Sequence, residues 1–116
     1  MCMIIDHSVT SLNKRTVWKV FQKETDGRIV SLYMGHPYPL NKKIVRSRGR
    51  TSDGSMGTHG IHVYLNKKDA LAEAMTWSCT YIAKLRVQPS DFLFAGKDSD
   101  AGKAMYESAT RIGTFI

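Results

Sequence analysis

The densest candidate for chemistry in this sequence is a run of basic side chains near the middle of the chain. Five of the seventeen Lys and Arg residues fall within nine positions, namely Lys42, Lys43, Arg46, Arg48 and Arg50. The guanidinium fork of arginine matches phosphate oxygens in pairs, and the interleaved Gly and Ser residues let the backbone wrap around an anion. We therefore predict that Arg46, Arg48 and Arg50 bind phosphate. The alternative is a solvated basic loop, because the glycine spacing matches neither a P-loop nor a dinucleotide-binding motif.

A second candidate is the segment Gly60-Ile61-His62-Val63-Tyr64. If Ile61 and Val63 face the core of the protein, His62 and Tyr64 share the opposite face of the same strand. There, His62 can contact a phosphate and Tyr64 can stack a base. The alternative is that a helix covers this face and both side chains are packed beneath it.

Four further residues complete the candidate binding site. We expect Arg86 and Arg111 to make polar contacts to the same ligand, and Tyr33 and Phe92 to offer aromatic faces to a base, as Tyr64 does. The formal net charge of +7 favours anionic partners such as nucleotides or nucleic acid.

An enzymatic role requires a nucleophile beside a base, or a pair of carboxylates. The ten acidic residues are scattered along the chain, and only Glu107 combined with His62 and Tyr64 resembles the side-chain set of ADP-ribosyl transfer. We therefore expect binding without catalysis, and keep a small ADP-ribosyl transferase or nuclease as an alternative. The four histidines have spacings unlike those of known metal sites, so we expect neither metal nor cofactor.

The two cysteines, Cys2 and Cys79, indicate a reducing compartment. Cys2 lies at the terminus and Cys79 in an apolar alternation typical of a buried thiol, so neither a disulfide framework nor a cysteine zinc site is predicted. The N-terminal apolar stretch is too short for a signal peptide, and no run approaches the length of a membrane-spanning helix. We expect a cytoplasmic protein with no membrane association.

The elements that must position these residues are mostly strands. A strand over Thr16–Lys23 and another over Arg28–Met34 flank the dipeptide Asp26-Gly27, which is a strong hairpin signal. A third strand is predicted for Ile61–Leu65. Before the hairpin, residues 1–15 are weakly patterned and are expected to form a loosely ordered arm.

A single helix is predicted for Lys67–Trp77, with Asn66 as its N-cap. Its apolar residues fall on one face, which consists of Ala70, Leu71, Ala74 and Met75, while Lys68 and Glu73 lie elsewhere.

The remaining segments alternate less clearly. Cys79–Val87 is predicted as a strand with Lys84 and Arg86 facing outwards, and residues 98–108 as a short helix or a loop. A short edge strand is expected at Lys42–Val45, a short extended piece at Asp91–Gly96 and a final strand at Arg111–Ile116.

This succession predicts an α+β fold, in which a mainly antiparallel sheet packs with one or two helices. We expect residues 16–116 to form a single domain, interrupted by a flexible, basic, Gly-rich loop at 46–60. The length of 116 residues leaves room for one such core.

Several short motifs together resemble those of small bacteriophage proteins, many of them uncharacterised. The likeness spans most of residues 16–116 and lies in Val17-Trp18-Lys19-Val20, Asp26-Gly27-Arg28, Ser31-Leu32-Tyr33, Gly60-Ile61-His62-Val63-Tyr64, Asp69-Ala70, Ala74 and Ala109-Thr110-Arg111-Ile112. The strand motif G-[FI]-H-[AV]-[FY] is the most distinctive of these. The resemblance implies a phage protein acting in the host cytoplasm.

Phage proteins of this size include the anti-Thoeris and anti-CBASS proteins, which sequester cyclic ADP-ribose isomers or cyclic oligonucleotides in oligomers without cleaving them. The resemblance thus implies a counter-defence protein that binds a cyclic nucleotide signal as a homo-oligomer. The main alternative is a nucleic-acid-binding protein of host takeover, or an inhibitor of a nucleic-acid-bound defence complex. An inhibitor that binds a protein partner alone is a further alternative.

Overall fold

The computed structural model describes residues 3–31, 37–45, 56–57, 60–77, 80–98 and 101–112. In this part of the chain the structure has one helix, α1 (Lys67–Ala74), and a 3-10 turn, Pro89–Asp91. The strands are β1 (Met3–Ile5), β2 (Thr16–Lys23), β3 (Ile29–Ser31), β4 (Lys43–Val45), β5 (Met56–Gly57), β6 (Ile61–Tyr64), β7 (Thr80–Arg86), β8 (Phe92–Asp98), β9 (Ala101–Tyr106) and β10 (Ser108–Arg111). The predicted α+β class with a mainly antiparallel sheet is confirmed.

All the described strands belong to one sheet, in the order β4-β10-β7-β2-β6-β9-β8-β1-β5, with β3 also paired to β2. Strand β2 is its centre. It pairs with β7 through the seven residues from Thr16 to Gln22, and its other edge is shared by β3 and β6. Because β6 meets β2 only at the pair Trp18–Tyr64, the two strands diverge beyond that point.

The sheet buries both of its faces. One face, which we call the core face, carries the largest cluster of buried side chains, including Val17, Phe21, Leu85 and Tyr106. The other, the helix face, places Val20, Tyr64 and Ile82 against Ala70 of α1. Strands buried on both faces lose the simple alternation of apolar and polar residues.

The predicted hairpin between β2 and β3 is present, with a turn that differs from the simplest Asp-Gly form. The amide of Gly27 donates to the carbonyl of Glu24 at 2.9 Å, and that of Glu24 to the carbonyl of Arg28 at 2.8 Å. Within this loop, only Gly27 has a positive φ, at 90°. This is a three-residue loop closed by a left-handed glycine, so Asp26 need not adopt that conformation. Its carboxylate instead accepts from the Arg28 amide and side chain.

The helix is shorter than predicted, and it presents a narrower apolar face. It ends at Ala74, and its contact with the sheet is made through Ala70 and Ala74. Leu71 and Met75 belong to the apolar face in the sequence pattern but are 38% and 86% exposed, so only part of that face is buried. Two small residues allow the helix to lie close to the bulky side chains of the sheet beneath it.

The largest departure from the predicted elements is β9. Residues 98–108 were predicted as a short helix or a loop, whereas Ala101–Tyr106 is a strand between β6 and β8. Ala104 and Met105 are fully buried on opposite faces. The prediction failed because a strand covered on both faces need not alternate, and because Gly and Ala have low strand propensity.

The N-terminal segment, predicted as a loosely ordered arm, contributes β1 beside β8. A side chain at Gly96 would collide with the backbone carbonyl of Ile4, so this pairing depends on glycine there. The helix found in the described residues is too short to cross a membrane.

Candidate functional site

The structure tests the placement of only some predicted site residues. Arg46, Arg48, Arg50 and Tyr33 lie outside the described residues, so their predicted roles stay predictions.

The predicted division of β6 between two faces is observed. Ile61 and Val63 are buried on the core face, and His62 and Tyr64 lie on the helix face. Tyr64 is 5% exposed and packs against Ala70 of α1. Its ring has no open face for a base, which corresponds to the packed alternative.

Phe92 and Arg111 also make contacts within the protein. Phe92 is 5% exposed and meets the ring of Tyr106 edge to face, with 5.8 Å between the ring centroids. The Nε of Arg111 donates to the carbonyl of Tyr38 at 2.8 Å, and burial lowers the pKa of the guanidinium. Arg111 thus ties β10 to the segment that precedes β4.

Arg86 is the predicted binding residue that does line an open depression. We call this depression the edge groove. Its volume is about 220 Å³, and it lies where β7, β10 and β4 meet the 3-10 turn. It is lined by seven residues with polar or charged side chains and one alanine, namely Asn41, Lys43, Arg86, Gln88, Asp91, Ser108, Ala109 and Thr110.

The register of three strands builds the groove. Thr110 of β10 lies opposite Arg86 of β7 on one side and opposite Lys43 of β4 on the other. Directly opposed residues point to the same face of a sheet, so Arg86, Thr110 and Lys43 form one row. Since adjacent strands lie about 4.8 Å apart, the two cations start from backbones roughly 10 Å apart.

Both cations of this row are available. Arg86 and Lys43 are exposed, and among the described residues neither side chain forms an ion pair or a hydrogen bond. Thr110 between them is 7% exposed. Two open cations flank a hydroxyl, an arrangement that suits the oxygens of phosphate or another multivalent anion.

One carboxylate limits what the groove accepts. Ser108 Oγ donates to Asp91 Oδ2 at 2.7 Å, which fixes the Asp91 side chain against β10. The Asp91 carbonyl also accepts the Glu107 amide at 2.7 Å. The negative charge of Asp91 repels an anionic ligand at this end, so the attraction for an anion is strongest near Arg86 and Lys43.

A different basic residue, Lys19, lies in the interior. Its Nζ donates to the carbonyl of His62 at 2.7 Å, in the gap where β6 diverges from β2, and lies 5.9 Å from the ring centroid of Tyr38. The residue as a whole is half-buried, but its ammonium is enclosed by protein. Burial, followed by repulsion from Lys103, lowers the pKa of Lys19 to about 7.

Tyr106 adds a second buried polar atom to the core. Its hydroxyl is buried and has no hydrogen-bond partner among the described residues, and burial raises its pKa to about 12. No group of three or more His, Cys, Asp or Glu side chains in the described residues is arranged to hold a metal ion.

No protein-family model matches this chain, and no curated protein or solved structure matches it either. What the edge groove binds is therefore inferred from its residues.

Sequence reasoning missed most of the groove. Lys43 was counted in the basic cluster, but nothing in the sequence pairs β4 with β10 or brings Lys43 to Arg86. Asn41, Gln88 and Thr110 carried no separate signal. Asn41 has a φ of 61° and donates its amide to the Arg111 carbonyl, so a turn before a predicted edge strand was the only available clue.

Proposed function

We propose that this protein binds a nucleotide-class ligand with two or more phosphate groups, and holds it without chemical change. The observation that carries the proposal is the row Arg86–Thr110–Lys43, whose two cations have no ion-pair partner among the described residues. The amides of Asn41 and Gln88 line the same groove and add neutral donors to it.

The separation of the two cations favours more than one phosphate. Their backbones are two strand spacings apart, roughly 10 Å. A single phosphate can contact only one of the two cations directly, whereas a ligand with two phosphates can contact both. Arg86 suits a paired contact to two oxygens of one phosphate, and Lys43 acts as a point charge on the other.

The wider form of the proposal rests on the resemblance to phage proteins. In it, the ligand is a cyclic nucleotide or cyclic ADP-ribose signal of host defence, sequestered in the host cytoplasm by a homo-oligomer. Arg46, Arg48 and Arg50 follow directly after β4 in the sequence and add phosphate contacts.

The alternative is a protein that binds nucleic acid. It is favoured by Lys84, which is exposed on β7 two residues before Arg86 and so faces the same side of the sheet. A phosphate chain extending beyond the groove meets this additional cation.

Titration calorimetry with pyrophosphate and ADP-ribose tests the proposal. The double variant Arg86→Ala/Lys43→Ala is expected to lose roughly 100-fold or more in affinity, since each contact between charged groups is worth about 1.5–3 kcal/mol. The control is Lys23→Ala/Lys97→Ala, which removes the same charge at exposed positions outside the groove. Equal losses in both double variants would mean that only net charge matters and would remove the groove as the site.

Native mass spectrometry with a panel of cyclic nucleotides tests the wider form. We expect an oligomer that retains an intact nucleotide. Release of a cleaved or transferred product would contradict binding without chemical change and favour the enzyme alternative.

A further inference from the structure

The groove continues across the helix face towards α1. Lys84 lies opposite Trp18 in the β2–β7 register, just as Arg86 lies opposite Thr16. Together with the groove row, this places Lys43, Thr110, Arg86, Lys84 and Trp18 on one surface, which we call the basic strip. Its charged members are exposed.

Trp18 is the aromatic end of the strip. Its ring is half-buried beside α1, and two ammonium groups lie close to it, Lys84 Nζ at 5.4 Å and Lys67 Nζ at 5.3 Å from the ring centroid. Trp18 packs against the helix-face cluster, and its intermediate exposure leaves part of the ring accessible to solvent. Both lysines are exposed on flexible stems, so a flat ligand can displace one of them towards its own phosphate.

The spacing along the strip fits a chain of phosphates leading away from a stacked base. Lys84 and Arg86 are separated by two residues of one strand, roughly 6.7 Å, and Arg86 and Lys43 by two strand spacings, roughly 10 Å. Proteins that bind single strands combine stacking platforms with cations that follow the backbone in this way.

We propose that the basic strip binds a short single-stranded oligonucleotide, with one base stacked on Trp18 and successive phosphates at Lys84, Arg86 and Lys43. This inference rests on the phosphate-binding part of the proposed function, because it uses the same two groove cations, and it takes the nucleic-acid alternative in place of the cyclic-nucleotide form. It adds a base subsite that sequence analysis did not identify, in place of Tyr64 and Phe92, which are buried.

Tryptophan fluorescence gives a direct readout. The chain has two tryptophans, and Trp77 is 47% exposed beyond the end of α1, away from the strip. In a Trp77→Phe background, stacking of an eight-nucleotide oligothymidylate on Trp18 is expected to quench the remaining emission. The reverse background, Trp18→Phe with Trp77 kept, is expected to show little quenching.

Affinity measurements separate stacking from charge. Trp18→Leu is expected to weaken oligothymidylate binding roughly tenfold and to leave pyrophosphate affinity unchanged, because base–aromatic stacking is worth about 1–3 kcal/mol. Trp18→Phe retains an aromatic ring and is expected to recover most of that loss. Trp77→Leu is the matched control and is expected to bind as the wild type does.

The outcomes distinguish this inference from the function on which it rests. Pyrophosphate binding that depends on Arg86, with oligothymidylate binding unchanged in Trp18→Leu, would overturn the base subsite and leave the proposed function intact. Tighter binding of a cyclic dinucleotide than of the oligonucleotide would also overturn it. If wild-type protein binds neither pyrophosphate nor oligonucleotide, both proposals fail.

Discussion

Lys19 and the cations of the edge groove carry the same charge in one sheet, but their environments differ. Lys19 lies on the core face, with its ammonium bound to the carbonyl of His62 and enclosed by protein. Arg86 and Lys43 lie on the helix face, exposed and without ion pairs among the described residues. Burial penalises the first charge, whereas water stabilises the other two until an anion replaces it.

The buried charge of Lys19 lowers the stability of the fold, whereas the exposed charges of Arg86 and Lys43 can bind a ligand. A buried amine whose pKa falls to about 7 is half neutral at that pH and contributes little attraction for a ligand outside. Exposed cations remain in contact with water after folding, where an anion can reach them. Of the described basic residues, those of the groove are therefore better placed than Lys19 to bind a phosphate.

The largest expected effect comes from removing the buried charge. The pKa of Lys19 is about 7 in the folded protein and 10.5 as its ordinary value, so the unfolded chain binds more protons between these pH values. Stability should therefore rise with pH across that window, by on the order of 3–5 kcal/mol, and the penalty should be fully present below pH 7.

Lys19→Met tests this through urea unfolding at several pH values. The variant should be more stable than the wild type at pH 6, and the gap should narrow towards pH 10. A gap that stays constant with pH would show that Lys19 is not held in a charge-excluding site.

The next largest effect concerns the open cations. Arg86→Ala is expected to reduce pyrophosphate affinity by about tenfold, and Arg86→Lys by less, because lysine keeps the charge but loses the paired geometry. Calorimetry at fixed salt measures both, with Lys23→Ala as the control. If Arg86→Lys and Arg86→Ala lose the same affinity, geometry outweighs charge at this position.

A smaller effect of opposite sign is expected at the acidic end of the groove. Asp91→Asn removes the negative charge and keeps an oxygen that can accept the Ser108 hydroxyl hydrogen bond. Pyrophosphate affinity should rise about two- to fivefold, the change expected from relieving one repulsion near a solvated site. A fall in affinity would mean that Asp91 positions the ligand rather than repelling it.

The smallest effect is expected at Lys84. Lys84→Met should change pyrophosphate affinity less than twofold, because Lys84 lies beyond the groove lining. It should lower the salt dependence of oligonucleotide binding by about 0.7 in the slope of log K against log salt, the contribution of one phosphate contact on a single strand. An unchanged slope would place the strand elsewhere.

Patterns among neighbouring residues predicted two of the strands and the hairpin correctly. Thr16–Lys23 was predicted with its exact bounds, and the alternation of Ile61–Tyr64 assigned each side chain to the correct face. The hairpin followed from Asp26-Gly27. These segments carry β-branched or aromatic residues and a turn signal, so neighbouring residues suffice to specify them.

The groove was not predictable in the same way, since it depends on pairing between distant strands. Arg86 was predicted to face outwards, which is confirmed, but its neighbours come from β4 and β10, more than twenty residues away on either side. Tyr64 and Phe92 were predicted to stack a base, but both are buried. An aromatic residue in a strand indicates a stacking surface only if nothing covers it, and coverage is a property of the folded sheet.

Amide chemical shifts of labelled protein titrated with pyrophosphate show directly whether phosphate binds in the edge groove. We expect saturable shifts concentrated at Lys43, Arg86, Gln88 and Thr110, and their loss in Arg86→Ala/Lys43→Ala. Shifts that cluster on the core face around Lys19, or a groove that stays unperturbed while the ligand binds, would contradict the assignment of the site.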